Sequence, residues 1–240
     1  MRSPYAVILA AGIGSRLGNP YPKPLTPIGK NETILSRQLR IFRNFGLSIV
    51  VVVGFKKDLI MEADPNVLFV YNPNFDTTNT SKSLLSGLRH IDNQDVLWIN
   101  GDVVCDPAII GQMLHQKGSL VAVNNAAVGE EEVKYKTDES GYISAISKSV
   151  NQPIGEALGI NLIEASHLER FKSALDNVKN EDYFERGMER LMQDAGPIFK
   201  PFNVGNKACV EVDFKEDLEQ ARLIISEGAA ARGANRAERY

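Results

Sequence analysis

Short, unbroken apolar runs separated by glycines and by segments of helical period restrict this chain more than any other feature. Tyr5–Leu9, Ser48–Val53, Val67–Tyr71 and Val96–Asn100 are such runs. A strand that is apolar at nearly every position has both faces covered, the condition of a parallel sheet between two helix layers. Thr33–Phe45 carries Leu35, Leu39 and Phe42 on one helical face and stops at Gly46. Thr80–Ile91 aligns Leu84, Leu85, Leu88 and Ile91 behind an N-cap at Asn79 or Thr80. Asp106-Pro107 opens a further helix to about Gln116, with proline at its first position. Strands alternating with helices in this way predict an α/β fold with a doubly wound, mostly parallel, Rossmann-like sheet.

The rhythm changes after a strand at Ser119–Asn124. Val133–Thr137 and Tyr142–Ser147 flank Asp138-Glu139-Ser140-Gly141, a hairpin with glycine in its turn. Ala157–Ile163 is another strand. Helices at about Ser166–Val178 and Asp182–Asp194 follow, then strands near Phe199–Asn203 and Ala208–Val212 and a helix over Glu216–Glu227. The expectation is one domain over 1–228. Its nucleotide-binding half covers about 1–125, and a smaller, mixed α+β substrate half covers about 126–228. Residues 229–240 are rich in Ala, Gly and Arg without apolar periodicity, so they are expected to form a disordered tail.

Bulk properties exclude several classes. Net charge is −3 and no basic stripe occurs, which argues against nucleic acid as a partner but allows a small anion held by local cations. The two cysteines, Cys105 and Cys209, lack zinc-type spacing and read as reduced, buried thiols. No apolar run approaches a membrane span, and the N-terminus has no signal-peptide pattern, so a cytoplasmic location is expected. Oligomeric state stays open.

The first strand runs into Leu9-Ala10-Ala11-Gly12-Ile13-Gly14-Ser15-Arg16-Leu17-Gly18. Small residues at such a bend let backbone N–H groups approach a phosphate closely, and Arg16 adds a cation with a bidentate fork. A plain strand-to-loop turn has the same look. The dinucleotide fingerprint fails at Leu17, which stands in place of its third glycine, and the P-loop fails because no GKS or GKT follows Gly12. Seven residues past Arg16 comes Pro22-Lys23-Pro24-Leu25. The two prolines hold Lys23 on a stiff, extended segment, where its ammonium can address one spot; a solvated surface lysine is the ordinary alternative.

Together, Gly12-x-Gly14-Ser15-Arg16-Leu17 and Pro22-Lys23-Pro24-Leu25 resemble the sugar-phosphate nucleotidyltransferase family, whose signature is a Gly-rich loop ending in Arg-Leu and then Pro-Lys. Asn100-Gly101-Asp102 at the end of the fourth strand and Glu211-Val212-Asp213 near the C-terminus fall in the family's order. The resemblance implies that Leu9, Ala10, Ala11, Gly12, Gly14 and Ser15 cradle a nucleoside triphosphate, with Asn79, Thr80 and Ser81 at the nucleobase. It makes Arg16, Lys23 and Lys148 the catalytic cations and Asp102 and Asp213 the ligands of Mg²⁺. Lys148 and the Gly155-Glu156 pair match the family's substrate half, so Glu156, Tyr183, Glu185 and Glu211 are candidate acceptor-binding residues.

Thr77–Ser83 departs from the form of sugar enzymes and is similar to the short cytidylyltransferases that act on phosphocholine and related phosphorylated alcohols or phosphonates. The implied activity is transfer of CMP from CTP to such an acceptor, with release of pyrophosphate. A UTP- or dTTP-dependent sugar-1-phosphate enzyme is the alternative within the family. A non-catalytic nucleotide-binding regulatory module is the alternative of another class.

Overall fold

The computed structural model describes residues 4–14 and 21–237, with side chains as far as 226. The strands are β1 (Tyr5–Ala10), β2 (Pro27–Gly29), β3 (Glu32–Thr33), β4 (Ser48–Val53), β5 (Leu68–Tyr71), β6 (Val96–Asn100), β7 (Val103–Cys105), β8 (Ser119–Asn124), β9 (Lys134–Thr137), β10 (Ile143–Ser147), β11 (Gly155–Ile163), β12 (Phe199–Asn203) and β13 (Cys209–Glu211). The helices are α1 (Ile34–Asn44), α2 (Lys57–Ala63), α3 (Thr80–Leu88), α4 (Pro107–His115), α5 (Ala165–Asp176), α6 (Phe184–Ala195) and α7 (Lys215–Ala237).

The main sheet has the order β10-β9-β11-β6-β1-β4-β5, with β8 pairing both β11 and β12. Strands β6, β1, β4 and β5 are parallel, as their apolar runs predict. β11 lies antiparallel to β6 and so attaches the second half of the chain to the first through one continuous sheet. Alternation divides each strand between two cores. Val7, Val50, Val52 and Trp98 face α3, α5 and α6, whereas Ala6, Ile8, Val51 and Ile99 face α1, α2 and α4. A third, small core joins Ile28, Val104, Val212 and Ala221 beneath the two-stranded β7–β13 ribbon.

The chain passes β1, β4 and β5 on one side and then returns to place β6 on the other side of β1. The topological switch point therefore lies between β1 and β6, and its crevice opens at their carboxyl ends.

The structure adds elements to the sequence reading. Helix α2 fills the alternation between β4 and β5. Lys23–Leu25 forms a single 3₁₀ turn rather than an extended segment. Proline's φ near −65° suits both forms, and a proline in the first turn of a helix lacks only an N–H that would be unpaired anyway. Helix α7 continues to Ala237 through the stretch expected to be disordered, where alanine and arginine are strong helix formers.

Candidate active site

The carboxyl end of β1 is held by its neighbours through glycines. The Gly101 N–H donates to the Leu9 carbonyl (2.9 Å), and the Phe55 N–H donates to the Ala11 carbonyl (3.1 Å). A Cβ at Gly101 or at Gly54 would lie 2.6 Å from those same two carbonyl oxygens, so only glycine lets both loops close on β1. Leu9, Ala10 and Ala11 are buried, while Gly12 has open space where a side chain would stand. Gly14 takes φ +62°, and a Cβ there would press on Lys23 Cβ at 3.0 Å. Ser15 and Arg16 lie outside the described residues.

Lys23 is 9% exposed and points its ammonium at two carboxylates. Nζ donates to Asp102 Oδ2 at 2.8 Å and makes a short contact with Asp213 Oδ1. Burial works against the charge of Lys23, but Asp102 and then Asp213 more than offset it, so its pKa is raised and the ammonium stays charged. Residues 79 and 190 positions apart from Lys23 thus meet at one point beside the switch crevice.

The backbone around each carboxylate is braced. Gln38 on α1 is buried, and its Nε2 donates to the carbonyls of Asn100 (2.9 Å) and Val103 (2.8 Å), on either side of Gly101-Asp102. The Val212 N–H donates to the Asp102 carbonyl. Asp217 accepts from the N–H groups of Asp213 (2.9 Å) and Phe214 (2.7 Å), fixing the chain where β13 gives way to α7. Gln38 carries no sequence signal for a functional role, since a glutamine in an amphipathic helix is ordinary.

The pair fits a small hard cation. Two oxygens that touch one nitrogen at hydrogen-bond distance are at most about 6 Å apart. Mg²⁺, with bonds of about 2.1 Å, asks for ligand oxygens about 3–4 Å apart and takes one or two carboxylates together with phosphate and water. Asp102 Oδ1 is buried without a hydrogen-bond partner among the described residues, a spare acceptor on the same carboxylate. Among the described residues, no group of three or more His, Cys, Asp or Glu forms a complete cage.

Two of the acidic residues expected at the acceptor hold their protons to unusually high pH. Glu211, opposite Val103 in the β7–β13 ribbon, is exposed. Desolvation by the neighbouring protein, then the charges of Asp102 and Asp213, push its carboxyl up to about 8, against the pull of Lys23. Glu185, in the first turn of α6, is buried with Oε2 unpartnered. Burial first, and Glu189 to a lesser degree, raise it to about 7, against its own N–H and Lys148. The Lys148 ammonium sits 5.6 Å from the Tyr183 ring centroid and 3.3 Å from Glu131 Oε2. Glu156 accepts from Asn124 Nδ2 (2.9 Å), and burial raises its pKa.

The α3 N-terminus docks on the loop before α6. Asn79 caps α3 through its side chain, which accepts from the Thr80 N–H, and its Nδ2 donates to the Glu181 carbonyl. Thr80 Oγ1 accepts from the Phe184 N–H (3.1 Å). The Ser81 hydroxyl is fully buried without a partner. Buried Asn72, missed in the sequence, donates to Thr78 and Ser83 and orders the turn leading into α3.

The chain is similar to several known proteins. The MobA-like NTP transferase domain matches residues 6–191. A CMP-5'-(3-aminopropyl)phosphonate synthase from Streptomyces rubellomurinus is 29% identical over 244 residues, covering 92% of this chain and 38% of that protein. The chain thus spans well under half the length of this curated relative. The solved inositol-1-phosphate CTP transferase from T. maritima superposes with a TM-score of 0.77 at 18% identity, covering 92% of this chain and 96% of that one. The CTP:phosphocholine cytidylyltransferase from Streptococcus pneumoniae superposes with a TM-score of 0.73 at 19% identity, covering 92% and 98%.

Proposed function

The chain belongs to the MobA-like NTP transferase domain family, and from that premise we propose that it transfers CMP from CTP to a small phosphorylated or phosphonate acceptor bearing a cationic amine. The observation that carries this reading is the meeting of Lys23, Asp102 and Asp213 beside the β1–β6 crevice.

An acceptor phosphate or phosphonate oxygen, already anionic at neutral pH, attacks the α-phosphorus of the nucleotide in line. The new O–Pα bond forms as the bond from Pα to the bridging oxygen breaks, and pyrophosphate leaves with that electron pair. No general base is required, so the protein's work is to hold two anions together and offset the charge that gathers. The Gly12–Gly14 bend offers backbone N–H groups to the triphosphate, and the role expected of Arg16 is to neutralise the leaving pyrophosphate. Lys23 and Lys148 flank the reacting phosphates. Mg²⁺ held by Asp102 and Asp213 would supply further charge neutralisation there.

The names of the relatives support the choice of CTP, and the cleft supports the acceptor class. Lys23 and Lys148 suit the anionic end of the acceptor, while Glu185, Glu211 and the Tyr183 ring suit a cationic tail. Purified protein with Mg²⁺ and each of four NTPs is assayed for pyrophosphate against 2-aminoethylphosphonate, phosphocholine, inositol phosphate and glucose-1-phosphate. Release is expected with CTP and an amine-bearing acceptor. Pyrophosphate from UTP and glucose-1-phosphate alone overturns the nucleotide and acceptor together, and none from any pair leaves a nucleotide-binding module.

A further inference from the structure

The Lys23 ammonium and the Mg²⁺ proposed above are drawn to the same two carboxylates. We propose that they are alternative occupants of the Asp102–Asp213 pair: Lys23 fills it in the nucleotide-free protein and yields it when a metal–nucleotide arrives. The inference rests on the assignment of Asp102 and Asp213 as metal ligands.

The geometry makes sharing difficult. Nζ touches one oxygen of each aspartate, so it stands where an ion bridging those oxygens would stand. Each cation there neutralises the same charge, and two cations in one gap repel. Without the ammonium the two aspartates lose that shared contact, and a divalent ion can take its place.

The stem of Lys23 limits where the ammonium can go. Its backbone is fixed by Pro22, Pro24 and the hydrogen bond from the Thr26 N–H to the Lys23 carbonyl (3.0 Å). Its Cβ, Cγ and Cδ all lie within 3.7 Å of the Cβ position at Gly14. The side chain therefore runs along the phosphate bend, and a turn of its outer methylenes carries Nζ from the carboxylates toward a phosphate on Gly12–Gly14. Gly12 leaves open space there. On this account the lysine keeps the carboxylates paired until the nucleotide supplies both a metal for them and a phosphate for the ammonium.

The test is a titration of nucleotide-free protein with Mn²⁺, read by electron paramagnetic resonance of the free ion and by melting temperature. Wild type, Lys23→Met, Lys23→Gln and Lys23→Met/Asp102→Asn are compared. Either neutral lysine variant should bind Mn²⁺ at least about ten-fold more tightly than wild type and gain more melting temperature from it. The added Asp102→Asn change should abolish that gain. Wild type binding as tightly as both single variants overturns the exchange, and so does a gain that survives Asp102→Asn. If one variant misfolds the other carries the comparison, and the wild-type titration is informative by itself, since tight Mn²⁺ binding there sinks the proposal. The readout needs no turnover. A gain in Mn²⁺ affinity without pyrophosphate from any NTP would sink the enzyme reading alone, and pyrophosphate without that gain would sink the exchange alone.

Discussion

Glu185 holds its proton to about pH 7 because burial strips water from its carboxylate, and in the unfolded chain the same group ionises near 4.5. Between those values the folded chain binds a proton that the unfolded chain has released. The linkage slope is then negative: stability from this group is greatest below about pH 4.5, falls as pH rises to about 7, and is level above it. Glu185→Gln keeps the shape and removes the titration. The variant should be more stable than wild type at pH 8 by on the order of 2–3 kcal/mol and nearly equal near pH 4.5. Urea midpoints at the two pH values check this, and an equal difference at both removes burial as the cause. Activity should move the other way, with KM for an amine-bearing acceptor rising, since a neutral amide attracts an ammonium less.

At the scale of elements, α1 is the part that aims Asp102. Gln38 spans the carbonyls before and after Gly101-Asp102, so one amide fixes a two-residue bend. Gln38→Met fills the volume but donates nothing, leaving two inward carbonyls short of a partner. Stability should fall by about 1–3 kcal/mol, and kcat should fall about ten-fold or more with KM for CTP little changed, because the carboxylate shifts while the triphosphate bend stays. A drop in stability with kcat intact would confine Gln38 to packing. This division also marks what the sequence could disclose. β4, β6 and β8 are found at the bounds their apolar runs predict, since burial on two faces writes itself into consecutive residues. The meeting of Lys23, Asp102 and Asp213 was legible only through a motif pair, because no periodicity relates residues so far apart. Gln38, Asn72 and the close approaches at Gly54 and Gly101 were not legible. Each depends on which backbone atom lies opposite, and that is settled by tertiary packing. α2 was missed because a short helix entered through a left-handed Lys56 (φ 45°) and burying only Ile60 has little apolar signature.

On the scale of the whole molecule, the two halves are expected to unfold together. β11 extends the sheet of the nucleotide half, and the core over one face runs from Val7 and Val50 to Phe171, Met188 and Phe199 without a boundary. Lys82 on α3 donates to the carbonyls of Leu175, Asp176 and Val178, stitching the first half to the C-terminal end of α5. The protein's single tryptophan reports on this junction. Trp98 belongs to β6, yet its ring lies 5.3 Å from Phe171, 5.7 Å from Phe184 and 6.5 Å from Phe199 between centroids, all three contributed by the second half. Separation of the halves would therefore expose Trp98 before either half lost its secondary structure. We expect no such step: urea transitions followed by Trp98 fluorescence and by far-ultraviolet circular dichroism should coincide in midpoint and slope. Fluorescence moving at a lower urea concentration than the dichroism would mean that the shared sheet and the Trp98 cluster are too weak to couple the halves, and that the molecule is two domains.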